Sequence, residues 1–487
     1  MIYHLIRSFL TVLLTLLIVA GAWVAYHYFS FAQLDDQPGL QGKRTYLDHI
    51  SRIGVELNDA PDIIFILYDD LGYGDIGAGA VRPGAIATPN IDALAAGGIV
   101  LSDFHSPAPV CTPARAGYLT GRLAPRAGLP DVIFPTGSAK SFFFHTMTGS
   151  GNNVRLPAEE ITVAELLKAA GYVTGMVGKW HLGDKAPSLP NDFGFDSYYG
   201  ALYSNDMEPF ALYRDRKIDV PSPVDQRYLS QRYTEEALAF IESVGDQPFF
   251  LYFAHNFPHD PLSARAERLG KSNAGLYGDV MEEIDEGIGL LITELEQTGR
   301  LDNTLVIISS DNGPWYLGNA GAQRGRKGNT FEGGMRVPFI AHWPAVIRGG
   351  QQSTAMAMGI DLFPTLLDIL KLPQPNDRVL DGKSMLALLR QAAASKHEYL
   401  HYYDGETLFA VRDQRFKYRA AAGVFYGTDQ MPVAAAVPQK EWLFDLETDP
   451  GESYDVSARY PQKIAELRRE FERKRAEMTS NKRGWIR

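Results

Sequence analysis

A chain of 487 residues that is 45% hydrophobic and 22% charged has the make-up of a folded protein with one large domain and a smaller one. Its net charge of −11 and pI near 5.5 argue against a nucleic-acid binder, which presents a basic face. Cys111 is the only cysteine, which excludes a disulfide scaffold and a zinc site built from several thiolates.

The chain opens with an apolar stretch. After Arg7 no charged residue occurs until Asp35, and residues 9–26 are almost wholly apolar. About 18–20 such residues span a bilayer, and Arg7 with the N-terminal amine places the start inside and the body outside. Ala20-Gly21-Ala22 offers the small residues of a signal-peptide cleavage site. The apolar run continues through Trp23, Val24 and Tyr26, which favours an uncleaved anchor. Residues 1–34 are therefore expected as a membrane anchor, with a cleaved signal and a soluble exported protein as the alternative. Residues 35–60 read as a polar tether to a body on the periplasmic or other extracytoplasmic side.

The body begins at residues 62–68, a continuous apolar run expected as a strand buried on both faces. It ends in Asp69-Asp70-Leu71-Gly72-Tyr73-Gly74-Asp75. Paired acids at a strand end commonly solvate a loop or cap a helix. Next to a core they need a cation, and in open parallel α/β sheets ligands bind beyond the carboxyl ends of the strands. Residues 111–122 follow as a helical start, with Cys111 at its N-terminus and Pro113 in its first turn. A lone thiol there is a small buried hydrophobe or a thiolate nucleophile, unless its surroundings supply a third role. Residues 129–154 form an extended loop containing Phe142-Phe143-Phe144-His145, either a pocket wall or a buried plug.

The remaining elements repeat one pattern. A helix over 163–170 stops at Gly171, a strand follows over 173–177, and Lys179-Trp180-His181 comes next. The apolar strand 248–254 leads into His255-Asn256-Phe257-Pro258-His259. An amphipathic helix over 277–298, with Val280, Ile284, Ile288, Leu291 and Leu295 as its stripe, precedes the strand 305–310 and then Asp311-Asn312-Gly313. A glycine-flanked basic loop, Gly325-Arg326-Lys327-Gly328, lies just beyond. Any one of these strand ends is unremarkable, but four that carry titratable or ligating groups point to one polar site. After a helix over 358–370 and a connection with a short helix, alternating segments at 399–403, 408–411, 416–420 and 442–445 predict a small antiparallel sheet. A charged helix over 461–478 closes the chain.

Cys-x-Pro-x-Arg followed by Leu-Thr-Gly-Arg resembles the signature of type I sulfatases. Asp-Asp-Leu-Gly-Tyr-Gly-Asp, Gly-Lys-Trp-His-Leu-Gly, Ser-Asp-Asn-Gly-Pro and Lys-Gly-Asn-Thr-Phe-Glu-Gly-Gly-Met-Arg fall in that family's order. The layout resembles the arylsulfatase A and N-acetylgalactosamine-6-sulfatase branch, with one departure: Ala114 stands where the family usually has Ser. The resemblance implies an α/β, alkaline-phosphatase-like fold with a catalytic domain over 61–371 and a smaller C-terminal α+β domain over 372–487. It implies that a formylglycine-generating enzyme oxidises Cys111 to formylglycine. It further implies Ca²⁺, or secondarily Mg²⁺, on Asp69, Asp70, Asp311, Asn312 and residue 111, and a polar lining of Arg115, Lys179, His181, His259 and Lys327.

The implied reaction is hydrolysis of a small-molecule or carbohydrate sulfate ester through a sulfated enzyme. In it His259, with Lys327, protonates the leaving alcohol, His181 acts on the second hydroxyl, and Asp311 takes the first proton. The rival readings are a phosphomonoester or phosphonate hydrolase of the same superfamily, and an inactive anchored binding protein.

Overall fold

The computed structural model describes residues 2–30, 35–54, 59–77, 86–141, 154–420 and 440–486. Asp62–Tyr68 lies inside a ten-stranded sheet, where alternate side chains enter opposite hydrophobic layers. Ile63, Phe65 and Leu67 join one layer together with the helix Cys111–Thr120, while Ile64, Ile66 and Tyr68 join the other with Gly275–Gln297. Two covered faces explain the unbroken apolar run, since each buried large side chain contributes about 1.5–3 kcal/mol.

Thr304–Ser310, Asp62–Tyr68, Phe249–Ala254, Val173–Gly178 and Ser197–Gly200 are parallel neighbours in that order. Their shared direction gathers the ends at Asp69, Lys179, His255 and Asp311 along one edge. Phe339–His342 runs antiparallel to Thr304–Ser310, and short strands extend both margins, among them Ile99–Leu101 and Gln351–Ser353 on one side and Leu212–Arg214 and Lys217–Val220 on the other. At three or four residues these strands carry too little pattern to be read from sequence.

The C-terminal segments form the expected antiparallel sheet, Leu400–Asp404, Thr407–Arg412, Phe416–Arg419 and Trp442–Asp445. The helix Pro461–Ser480 packs on it through Leu467, Phe471 and Met478.

The expected tether is corrected by the structure. Gln37–Ile53 is a helix, capped by Asp36, whose side chain accepts from Gly39 N at 2.7 Å. It buries Gly39, Lys43, Tyr46 and Ile50, a stripe at helical spacing. Lys43 Nζ donates to the carbonyls of Ala158 and Glu160, each at 2.8 Å, and pairs with Glu165 at 2.5 Å. A charged residue at a buried position hides such a stripe from a hydropathy reading. The helix Ile2–Ser30 contains the window Ile6–Trp23, long and apolar enough to cross a membrane, with none of it buried. The phenylalanine-rich stretch 142–145 lies outside the described residues.

Candidate active site

The sequence sets Cys111 at the first turn of Cys111–Thr120, a helix buried along its whole length and closed by Gly121 in the left-handed region at φ 69°. That helix brings the thiol to the strand edge. Ligand atoms of Asp69, Asp70, Cys111 and Asp311, all buried, lie within 4.8 Å of one another. Asp70 and His181 adopt φ of 67° and 60°, rare for residues with a Cβ. Such strain is of order 1–3 kcal/mol each and concentrates at functional sites.

The cations interleave with these acids. Lys179 Nζ donates to Asp69 Oδ2 at 2.5 Å, and Lys327 Nζ lies 2.8 Å from Asp70 Oδ1 and 3.1 Å from Cys111 Sγ. Arg115 holds Asp311 Oδ2 through Nε at 2.9 Å and donates through Nη1 to the carbonyl of Lys179 at 2.7 Å, so one guanidinium ties two strand ends together. Asn312 Nδ2 donates to Asp70 Oδ1 at 2.6 Å. His259 Nε2 stands 3.8 Å from Asp70 Oδ2, and its Nδ1 donates to the carbonyl of Asp260 at 2.6 Å. His181 Nε2 donates to the carbonyl of Ile133 at 3.0 Å. The tautomer follows, because a carbonyl only accepts, and it leaves Nδ1 as a buried acceptor with no partner among the described residues.

Ser204 was not expected from the sequence. Its hydroxyl accepts from Lys179 Nζ at 3.0 Å, from a loop beyond Ser197–Gly200 that carries no recognisable pattern. His255 is buried with Nδ1 accepting from Phe257 N at 2.9 Å, which makes it a local turn device.

Electrostatics tests each reading of the site. Burial, reinforced by Asp311 and Asp69 and opposed by Lys179 and Lys327, pushes the Cys111 thiol up, so the unmodified residue is no thiolate. Burial would raise Asp69 too, but Lys179, His259, Arg115 and Lys327 outweigh it and hold this carboxyl well below the usual range. Asp311 goes the other way: burial and Asp69 push it up to about 7 against Arg115 and Lys179.

A second acidic group, Asp103, His105 and Glu332, meets the same spacing. There Arg336, Arg412 and Lys417 overcome burial and keep both carboxylates below their usual range. The chain's own cations satisfy that group, whereas they leave Asp311 short. With Asn312 Oδ1 buried and without a partner among the described residues, the first group fits an oxygen-bound divalent cation.

Comparison with known proteins accords with this constellation. The Sulfatase family profile matches residues 61–372, and the profile described as N-sulphoglucosamine sulphohydrolase, C-terminal, matches residues 326–480. The chain belongs to the sulfatase family. It is a sulfuric ester hydrolase, 34% identical over 450 residues to arylsulfatase A of Homo sapiens, covering 83% of this chain and 84% of the relative. N-acetylgalactosamine-6-sulfatase of Mus musculus is 34% identical over 444 residues, covering 82% of each. Among solved structures, Ps i-CgsB in complex with k-i-k-neocarrahexaose superposes with a TM-score of 0.72 at 28% identity, covering 85% of this sulfatase and 92% of that chain. The fold is the alkaline-phosphatase-like one of such sulfatases.

Proposed function

We propose that this sulfatase hydrolyses sulfate esters of carbohydrates, with formylglycine made from Cys111 as nucleophile and Ca²⁺ on Asp69, Asp70, Asp311, Asn312 and residue 111. The observation that carries the reading is the meeting of Cys111 with three buried carboxylates and with Lys327 at 3.1 Å. A formylglycine hydrate at residue 111 would supply two hydroxyls on one carbon, one to attack sulfur and one to release sulfate, and a cation held by Asp69, Asp70, Asp311 and Asn312 would supply Lewis-acid polarisation of the sulfuryl group.

The chain's residues do the rest. Lys179 and Lys327 flank residue 111 and bind sulfuryl oxygens, stabilising charge as it redistributes. The Lys327 ammonium, or His259 in its imidazolium form with Nδ1 held on the carbonyl of Asp260, gives one proton to the departing alcohol oxygen. His181 accepts a proton at Nδ1; burial and Lys179 lower its pKa well below the ordinary value and keep it neutral. Arg115 keeps Asp311 aimed at the site. Carbohydrate is the favoured alcohol because a solved relative carries an oligosaccharide. The helix around Ile6–Trp23 supports anchoring to a membrane, with the body on the extracytoplasmic side.

The test is steady-state hydrolysis of an aryl sulfate and of the matching aryl phosphate, with a mass spectrum of the peptide containing residue 111. Sulfate turnover with an aldehyde at 111 is expected. Faster phosphate turnover, or active protein with an intact thiol, would overturn the reading.

A further inference from the structure

Directly after Asp311 and Asn312 the chain shows large apolar side chains to solvent. Trp315 is 40% exposed, Tyr316 64% and Leu317 53%. Contiguous exposed apolar residues cost solubility and mark binding surfaces. The backbone that carries them is pinned at both ends. Pro314 O accepts from Lys327 N at 3.0 Å, and Gly313 N donates to Gly334 O at 2.9 Å. At the far end Asn319 N donates to Asp75 Oδ1 at 3.0 Å, while Asn319 O accepts from Gly74 N at 2.8 Å. The segment is thus built onto the strand end and onto the loop that delivers Lys327.

Arg326 belongs to the same surface. Its Nη1 donates to the carbonyls of Trp315 and Gly318, each at 2.8 Å, and its guanidinium lies 5.7 Å from the Tyr316 ring. Among the described residues it has no carboxylate partner within 4.0 Å, although acids outnumber basic residues 58 to 47 in the chain. Trp315 and Tyr316 meet edge to face, with centroids 4.7 Å apart and planes at 78°. An aryl or steroid alcohol gains most from enclosure on both faces. An open aromatic lip instead suits a ring with one C–H face and a hydroxyl rim, and the adjoining guanidinium suits an anionic substituent on that ring.

We propose that Trp315, Tyr316 and Arg326 form a saccharide subsite beside the sulfate pocket, which binds the sugar adjoining the sulfated one by stacking and binds its sulfate or carboxylate through the guanidinium. This inference rests on the sulfate-ester reading. Trp315→Ala, Tyr316→Ala and Arg326→Gln are compared with the parent protein on two substrates: a monocyclic aryl sulfate, and a sulfated disaccharide with a second anionic group. The ratio of kcat/KM for the disaccharide to that for the aryl sulfate is expected to fall about tenfold in each variant, through KM. Trp315→Phe is expected to keep most of the ratio. A melting curve for each variant monitors the fold. An unchanged ratio overturns the subsite, whether activity is retained on both substrates or lost equally on both. Failure of the parent protein to hydrolyse either sulfate would instead overturn the underlying function.

Discussion

Asp69 and Asp311 share one buried site yet are pushed in opposite directions, Asp69 down by Lys179, His259, Arg115 and Lys327 and Asp311 up by burial and by Asp69. A dication held by these carboxylates would remove that conflict, because each would then face positive charge. Asp311→Ala is expected to abolish Ca²⁺ binding, measured by titration calorimetry, and to lower kcat by at least about a thousandfold. Retained activity after chelation would place the cation elsewhere. Cys111→Ser tests the nucleophile. A serine hydroxyl can attack sulfur once, but it has no second hydroxyl on the same carbon with which to release sulfate. A folded protein without steady-state turnover is expected, and sustained turnover would exclude the hydrate chemistry.

At the scale of elements, the segment bearing Lys327 is held partly by the C-terminal antiparallel sheet. Glu332, five residues beyond Lys327, accepts from Lys417 Nζ at 3.0 Å and from His105, Arg336 and Arg412. Lys417 also pairs with Glu452 at 3.0 Å, whose carboxylate accepts from Glu332 N at 2.6 Å. Arg324 and Arg419 each lie 4.2 Å from the Phe331 ring. Removing one member of a buried ionic group costs about 3–5 kcal/mol because its partners stay buried and uncompensated. Lys417→Met is therefore expected to lower stability by that amount in urea unfolding and to reduce activity by loosening Lys327. Gly313 shows how close this packing is, since a Cβ there would lie 2.0 Å from Gly333 O.

For the whole molecule, the C-terminal helix is locked to the region after the site helix through Asp381. This carboxylate pairs with Arg126 at 2.9 Å and Lys474 at 3.1 Å and accepts from Leu123 N at 3.0 Å. Burial alone would raise Asp381, but Lys474 and Arg126 reverse that and bring it down to about 2. A depressed carboxyl contributes stability above its unfolded pKa near 4, worth about 2 kcal/mol, and loses it as pH falls toward 2. Asp381→Asn is expected to destabilise the protein at pH 7 and to narrow the gap from the parent protein between pH 4 and 2, read from unfolding midpoints. At the other end of the chain, the exposed apolar window Ile6–Trp23 has a mean hydropathy of 1.9. Cell fractionation is expected to recover the protein in membranes, with protease reaching the body from the outer face. Intact full-length protein in the cytosol would refute the anchor.

The sequence by itself determined the strands 62–68 and 305–310 and the groups that follow them, because a strand buried on both faces is mainly apolar and a polar ending then stands out. It likewise determined the position of Cys111 at a helix start, through Pro113 and the small residues behind it. Tertiary structure alone decided what hydropathy cannot carry. It turned 37–53 into a packed helix, because Lys43 finds two carbonyls and a carboxylate inside the fold. It brought Ser204 to Lys179 from a loop without pattern. It also distinguished two acidic groups of equal spacing, since whether a buried carboxylate wants a cation depends on which arginines and lysines the fold sets against it.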